Sequence, residues 1–324
     1  MLVFGNLRVA RFVLSDVMSV IMLNQVLRGA APNGNGGNGH DVAAALTSED
    51  AFGYPRDFLE NQFVYVVISS RARGLSVGVN MNPVARCNLN CLYCEVDRGS
   101  APRAAALDTE RVAVELRETL DLAKGGWLRQ RPRYARLPAE LLEVRHVALS
   151  GDGEPTLSDK FVEAVETVVG VRSTRQFFKI VLLTNATALD QPHVHKGLRL
   201  LISQDEVWAK LDAGTQGYFK KISGSTVSLD KILRNILRVA RCRPVVIQSL
   251  FPAINGEEPS PAEIAAYAQR LKDLRQAGAQ IPLVQIYSAT RPMAQQGCTH
   301  LPLKTLSQIA QTVRDVAGLR AEVY

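Results

Sequence analysis

The sequence has few cysteines, only five among 324 residues. Their number is odd, and three of them crowd into the short stretch from Cys87 to Cys94. Secreted domains that are held together by disulfides carry more cysteines, in even numbers and spread along the chain. The cysteine content therefore excludes a disulfide framework and favours a reducing compartment, so we expect a cytoplasmic protein.

The chain also lacks a long uninterrupted apolar segment. The stretch from Val9 to Leu27 is largely apolar but contains Arg11, Asp16 and Asn24, whereas a membrane span needs about 20 mostly apolar residues with few charges. No basic segment precedes this stretch and no clear small-residue cleavage site follows it, which argues against a signal peptide. We expect no membrane association, and we interpret the stretch as an amphipathic extension or as the product of a start codon placed too early.

The division into domains follows from composition. Residues 29–39 (GAAPNGNGGNG) are rich in glycine and asparagine, which is typical of a flexible tether. The remaining chain, with 47% hydrophobic residues overall, is long enough to bury one large core. We predict an extension and linker at 1–42, a core domain at 43–302, and a C-terminal helix and short strand at 303–324 that pack on the core.

The net charge of +7 is compatible with an acidic partner such as RNA, although proteins that bind small molecules also reach this value. The sharpest basic run is Trp127 to Arg136, in which arginines alternate with aromatic residues. Arginine can contact phosphates and aromatic rings can stack on unpaired bases, so this run is the best candidate for an RNA contact. A solvated loop is the alternative. The residues concerned are Trp127, Arg129, Arg131, Arg133, Tyr134 and Arg136.

Strand-like and helix-like patterns alternate from residue 63 onward. A predicted hairpin (63–70 and 74–81) comes first, and its second strand opens six strand and helix units. Such alternation indicates the α/β class with a parallel sheet, and six units are too few to close an eight-stranded barrel. We predict an open partial (β/α)6 barrel with ligands at the carboxyl ends of the strands. The other predicted strands are 144–150, 179–187, 206–213, 245–251 and 283–290.

The three clustered cysteines, Cys87, Cys91 and Cys94, directly follow the first of these strands. A cubane cluster has four irons, so three thiolates leave one iron open to another ligand, and one short loop can wrap three corners. Structural zinc and unconnected structural cysteines are the alternatives. Zinc needs four ligands, and the next histidine, His146, lies on another predicted strand. The spacing therefore favours an iron–sulfur cluster.

This CxxxCxxC run resembles the radical S-adenosylmethionine (SAM) superfamily. The resemblance implies an open barrel of the radical SAM type, a 4Fe-4S cluster, and SAM bound to the open iron through its amino and carboxylate groups. It further implies that an electron from the cluster, delivered by an external donor such as flavodoxin or ferredoxin, breaks SAM to give a 5′-deoxyadenosyl radical. Tyr93, just before the third cysteine, would then lie against the adenine, although ordinary core packing explains it equally well.

A second element of the resemblance is the run SGDGEPT at 150–156. It is similar to the Gly-Gly-Glu element of the superfamily, which receives the SAM amino group. Gly151 and Gly153 would permit close approach and Glu154 would be the acceptor, but Asp152 separates the glycines and departs from the simplest pattern. A glycine-rich turn that caps a helix is the alternative.

Polar residues at later strand ends complete the predicted SAM site. Asn185 ends one strand, and alternation along the next places Lys210 and Asp212 on the face of Trp208. By resemblance, Lys210 would meet the SAM carboxylate and Asp212 a ribose hydroxyl; a structural ion pair and a one-residue register error are the alternatives. Further polar residues at the same rim could line the substrate side, namely Gln248, Ser249, Gln285, Tyr287 and Arg291. Tyr287 could equally belong to the core.

One branch of the superfamily looks most similar, the relatives of the wybutosine tRNA-modifying Fe-S oxidoreductases. The similarity covers roughly residues 61–292 and includes GVNMNPVARCNLNCLYCEVDRG and VQIYSATRP. Cys242 and Cys298 are isolated, so we expect no auxiliary cluster, which departs from the wybutosine synthases. We predict an oxidoreductase that cleaves SAM and acts on RNA or a peptide. The alternative is a non-catalytic Fe-S protein for electron transfer or cluster delivery.

Overall fold

The computed structural model of the protein describes residues 58–99, 102, 104–289 and 297–324. Eight strands form one curled sheet in the order β1-β2-β3-β4-β5-β6-β8-β10, and β7 pairs with β9 in a second, two-stranded sheet. The predicted linker at 1–42 and Arg291 lie outside the described residues. The strands are β1 (Val64–Ser69), β2 (Gly74–Asn80), β3 (Val144–Ser150), β4 (Lys179–Thr184), β5 (Glu206–Lys210), β6 (Val245–Leu250), β7 (Ala253–Ile254), β8 (Val284–Tyr287), β9 (Cys298–Thr299) and β10 (Ala321–Val323).

The pairing of the large sheet confirms the open partial barrel. β1 and β2 form the predicted antiparallel hairpin, and all later pairings in this sheet are parallel. The six predicted strands are β2 to β6 and β8, and β10 extends the sheet by pairing with β8. Within the described residues β1 and β10 are its two edges, so the barrel does not close.

The helices cover the outer face of the sheet because each has one apolar stripe. In α1, for example, Val112, Leu116 and Leu120 recur every four residues and are buried. The Asp108 carboxylate caps this helix by accepting from two backbone N–H groups. The helices are α1 (Thr109–Lys124), α2 (Pro132–Ala135), α3 (Phe161–Thr174), α4 (Pro192–Leu198), α5 (Gln216–Ser223), α6 (Leu229–Ala240), α7 (Pro261–Gln276) and α8 (Leu303–Ala317).

The concave face of the sheet, called the lumen below, is lined differently. Val181, Trp208 and Val246 form a small apolar cluster there, separate from the main core. Gly78 leaves room for the ring of Tyr65, since a Cβ at residue 78 would lie 2.2 Å from that ring. An apolar cluster and an aromatic ring therefore occupy part of the lumen.

A search of the described part of the chain for helices that are long and apolar enough to cross a membrane finds none.

Candidate functional site

The loop that contains Cys87, Cys91 and Cys94, called the cysteine loop below, leaves the carboxyl end of β2 and is fixed against the end of α5. The backbone N–H of Asn90 donates to Ser223 O at 2.8 Å, and that of Leu92 donates to Ile222 O at 2.9 Å. Gly224 ends α5 with a φ of +55°, and a Cβ there would come within 2.8 Å of Asn90 O. The carboxyl end of the sheet is therefore where the three thiols lie, as the sequence predicts.

The three thiols are partly exposed and free of disulfides. Burial raises the pKa of Cys87, and burial followed by the charge of Asp212 raises the pKa of Cys91 to about 12. Cys87 lies close enough to both Cys91 and Cys94 for their charges to interact. Within the described residues, no three Cys, His, Asp or Glu side chains are already arranged around a single metal ion.

The donor set fits a cluster in its chemistry. Three soft sulfur donors on one loop suit iron, and positive iron would compensate the thiolates that burial disfavours.

The Gly-Asp-Gly loop after β3 packs directly on the start of the cysteine loop. A Cβ at Gly153 would lie 2.2 Å from Arg86 O, and the Glu154 N–H donates to that same oxygen at 2.9 Å. The Asn82 amide also donates to Arg86 O, at 2.9 Å. Residue 153 must therefore be glycine for the chain to approach the residue before Cys87.

We predict that Gly153→Ala displaces the cysteine loop and lowers the iron content by at least half. A Cβ under 3 Å from backbone atoms forces one of the two loops to move. The measurement is iron and sulfide per chain after anaerobic reconstitution. Gly170→Ala is the matched control, because nothing lies within 4 Å of its added Cβ; equal iron content in both variants would contradict the prediction.

Glu154 is buried, and its carboxylate is already satisfied within the chain. One oxygen accepts from the Asn185 N–H at 2.7 Å, and the other accepts from both the hydroxyl and the N–H of Thr156 and from the Thr184 hydroxyl. Burial raises the pKa of this carboxyl, and these donors oppose the shift. The Glu154 carboxylate therefore links the segment after β3 to the end of β4.

Asn185 stands at the end of β4 beside the first thiol. Its amide donates to the Cys87 sulfur at 3.6 Å and to the Asn88 side-chain oxygen at 3.0 Å. Thr187 also hydrogen-bonds Asn88. The contribution of Asn88 was missed, and its position next to Cys87 was the only signal that could have indicated it.

Lys210 and Asp212 face the lumen and form an ion pair of 3.0 Å. Asp212 also accepts from the Leu250 N–H at 2.8 Å and from the Tyr93 hydroxyl. The Lys210 ammonium donates to the Tyr287 hydroxyl at 2.8 Å. Burial acts to lower the pKa of Lys210, but Asp212 and Tyr287 outweigh it and raise that pKa. The cysteine loop therefore touches the end of β5 through Tyr93.

The remaining rim residues divide between the two faces of the sheet. Gln248 and Gln285 are buried and bonded to each other at 2.9 Å. Ser249 was expected at the rim, but its hydroxyl contacts Leu211 O and the Tyr267 hydroxyl of α7, so it faces the helices. The prediction that Ser249 lines the substrate side was wrong, because every residue of β6 is buried and no alternation marks the inner face of this strand.

The basic run at 127–136 lies near the amino ends of the parallel strands, whereas the cysteines lie at their carboxyl ends. It follows α1, which returns the chain from the carboxyl end of β2 to the start of β3. Tyr134 is buried, and the Trp127 ring already packs on Phe58 and under Arg131. The expectation that Tyr134 could stack on a base was therefore wrong, and Trp127 already has ring partners within the chain.

Comparisons with known proteins agree with this geometry. A family model described as the Radical SAM superfamily matches residues 81–268, more than half of the chain. A UPF0026 protein of Synechocystis sp. is 29% identical over 179 residues, which are 53% of this chain and 57% of that protein. A UPF0026 protein of Methanocaldococcus jannaschii is 26% identical over 176 residues, which are 52% of this chain and 47% of that protein. The chain thus matches about half the length of these relatives.

A solved structure of TYW1 with a lysine-pyruvate adduct bound has a similar fold. Its TM-score is 0.51 at 16% identity, and the alignment covers 83% of this chain and 80% of that chain. At this identity the likeness concerns the fold alone.

Proposed function

Because the chain belongs to the radical SAM superfamily, whose members are enzymes that bind a 4Fe-4S cluster and SAM, we propose that it cleaves SAM reductively. The resulting radical would then act on a substrate, with RNA and peptide as the predicted classes. Cys87, Cys91 and Cys94 would hold the cluster. When bound, the cluster supplies the electron that breaks a carbon–sulfur bond of SAM and yields a 5′-deoxyadenosyl radical.

The observation that carries this proposal is the hydrogen bond between Tyr93 and Asp212. It joins the cysteine loop to the ion pair of Lys210 and Asp212 at the end of β5, so the proposed cluster ligands and this charged pair lie side by side. A simple electron carrier needs no such charged pair beside its cluster. The contact therefore favours the enzyme over the electron-transfer or cluster-delivery alternative.

We assign the roles of the site residues as follows. Lys210 binds the SAM carboxylate, and Asp212 accepts from a ribose hydroxyl after releasing one of its present donors. Tyr93 places its ring beside the adenine. Gly151 and Gly153 allow the loop after β3 to come close to SAM. By resemblance, Glu154 accepts from the SAM amino group, and Asn185 contacts SAM beside it. The hydrogen bonds of both residues also position this loop and Cys87.

We predict that Lys210→Ala weakens SAM binding by roughly tenfold or more while iron content stays near wild type. A hydrogen bond to a charged group contributes about 1.5 to 3 kcal/mol, which corresponds to that loss. Asp212→Asn should have a similar effect. Binding is measured by anaerobic titration with SAM, and an unchanged dissociation constant in either variant would remove that residue from the site.

The decisive experiment is anaerobic reconstitution with iron and sulfide, followed by addition of reductant and SAM and an assay for 5′-deoxyadenosine. Formation of this product supports the enzyme. A cluster that cycles between oxidation states without producing it, even with SAM bound, would support the electron carrier instead. Flavodoxin and ferredoxin can be compared with dithionite as electron donors in the same assay.

A further inference from the structure

Arg71, in the turn between β1 and β2, extends its side chain into the lumen. Its guanidinium carbon lies 4.2 Å from the centroid of the Tyr287 ring, on the strand next to the far edge of the sheet. Its charge also reaches His146 at the start of β3: burial, then Lys179, then Arg71, lowers the pKa of His146 to about 3. The guanidinium therefore lies across the open side of the barrel, where the residue is partly buried.

This cation has no counter-ion among the described residues, although the other lumen charges do. Lys179 pairs with Glu206 at 2.6 Å, and Lys210 pairs with Asp212 at 3.0 Å. The Nε of Arg71 is buried and makes no hydrogen bond. A buried donor without an acceptor costs stability, and an acceptor from outside the chain would remove that cost.

We propose that Arg71 binds a carboxylate group of the substrate in the lumen. This inference deepens the proposed function and rests on it. One uncompensated positive charge matches one negative charge, and the planar guanidinium fork matches a carboxylate in two parallel hydrogen bonds. The Lys210 ammonium lies 4.8 Å from the same Tyr287 ring, so a carboxylate held by Arg71 places the rest of the substrate next to the proposed SAM site.

The site can be tested by NMR with acetate as the probe, using full-length protein with its cluster reconstituted and kept oxidised. Saturating SAM without reductant occupies Lys210 and leaves Arg71 as the unpaired cation. At constant ionic strength, the wild-type protein should increase the transverse relaxation rate of the acetate methyl protons, and this effect should saturate as the acetate concentration rises. If a saturable effect is seen neither with SAM nor without it, the inference is overturned, whatever the variants do.

Arg71→Met should weaken acetate binding at least tenfold, and Arg71→Lys should weaken it less. Arg73→Met is the matched control, because this arginine lies in the same turn but is exposed and pairs with Glu322 at 3.1 Å; its affinity should stay within twofold of wild type. Equal acetate affinity in Arg71→Met and wild type would overturn the inference. Dimethyl phosphate should bind at least fivefold more weakly than acetate, and tighter binding would replace the carboxylate with a phosphodiester.

The stability of the variants separates a binding role from a structural one. Arg71→Met should unfold at the same denaturant concentration as wild type or higher, since it removes an unsatisfied buried donor. A clear fall in this midpoint, with acetate affinity unchanged, would make Arg71 a structural clamp on Tyr287. If acetate binds but no 5′-deoxyadenosine forms, the proposed function fails and the anion site stands; the opposite pattern refutes only the anion site.

Discussion

Replacing Cys87, Cys91 and Cys94 together with alanine is expected to abolish both the iron–sulfur cluster and SAM cleavage. These thiols are the only cysteines clustered in the sequence, and the loop that carries them is fixed to the end of α5 at the carboxyl edge of the sheet. Without thiolates the irons have no ligands there. Iron, sulfide and 5′-deoxyadenosine should all fall to background.

The triple variant should nevertheless fold, because the loop keeps its backbone hydrogen bonds to α5 and the side-chain contacts of Asn88 and Tyr93. Its cooperative unfolding should resemble that of the iron-free wild type. Cys242→Ser and Cys298→Ala are the controls, and each should keep a full cluster. A normal four-iron cluster in the triple variant would refute the assignment, and loss of iron in either control would reveal a further ligand.

Replacing Glu154 with alanine should lower the free energy of unfolding by about 3 to 5 kcal/mol. The change leaves buried donors of Thr156, Thr184 and Asn185 without their acceptor, and each such group costs about 1 to 3 kcal/mol, partly relieved by rotation of the hydroxyls. Denaturant unfolding of the iron-free protein measures the loss. Glu166→Ala, at an exposed position on α3, should change the same quantity by no more than about 0.5 kcal/mol.

A second variant separates positioning from mere stability. Glu154→Gln keeps the shape of the side chain and should fold and bind iron, but its amide cannot accept from every donor that the carboxylate serves. We expect the EPR signal of its reduced cluster to change less on addition of SAM than the wild-type signal does. A wild-type response to SAM in this variant, or a loss under 1 kcal/mol in Glu154→Ala, would contradict the positioning role.

The sequence was sufficient to predict those features that depend on residues close together in the chain. Strand and helix periodicities indicated the open barrel, and the spacing of the cysteines located the site at the end of β2. The resemblance of residues 150–156 to the Gly-Gly-Glu element indicated Glu154. The partners of its carboxylate could not be predicted, because Thr184 and Asn185 reach it only through the register of β3 against β4.

The positions of two other residues, Ser249 and Arg71, also could not be predicted, because they depend on how the strands assemble. Ser249 was placed on the wrong face because β6 is buried on both sides and carries no alternation. Arg71 gave no signal at all, since an arginine in a hairpin turn is ordinarily solvated. Only the curvature of the sheet brings that turn toward Tyr287, and curvature is a property of all eight strands together.

The backbone hydrogen bonds from Asn90 and Leu92 to the end of α5 bear on how the protein matures. In a classical zinc finger, metal binding and folding are coupled, because without the ion nothing orders the ligands. Here backbone hydrogen bonds fix the loop to α5 independently of the thiols, so we expect the chain to fold before the cluster binds. By the same argument, a chain that has lost its cluster should keep its fold and be able to bind a new one.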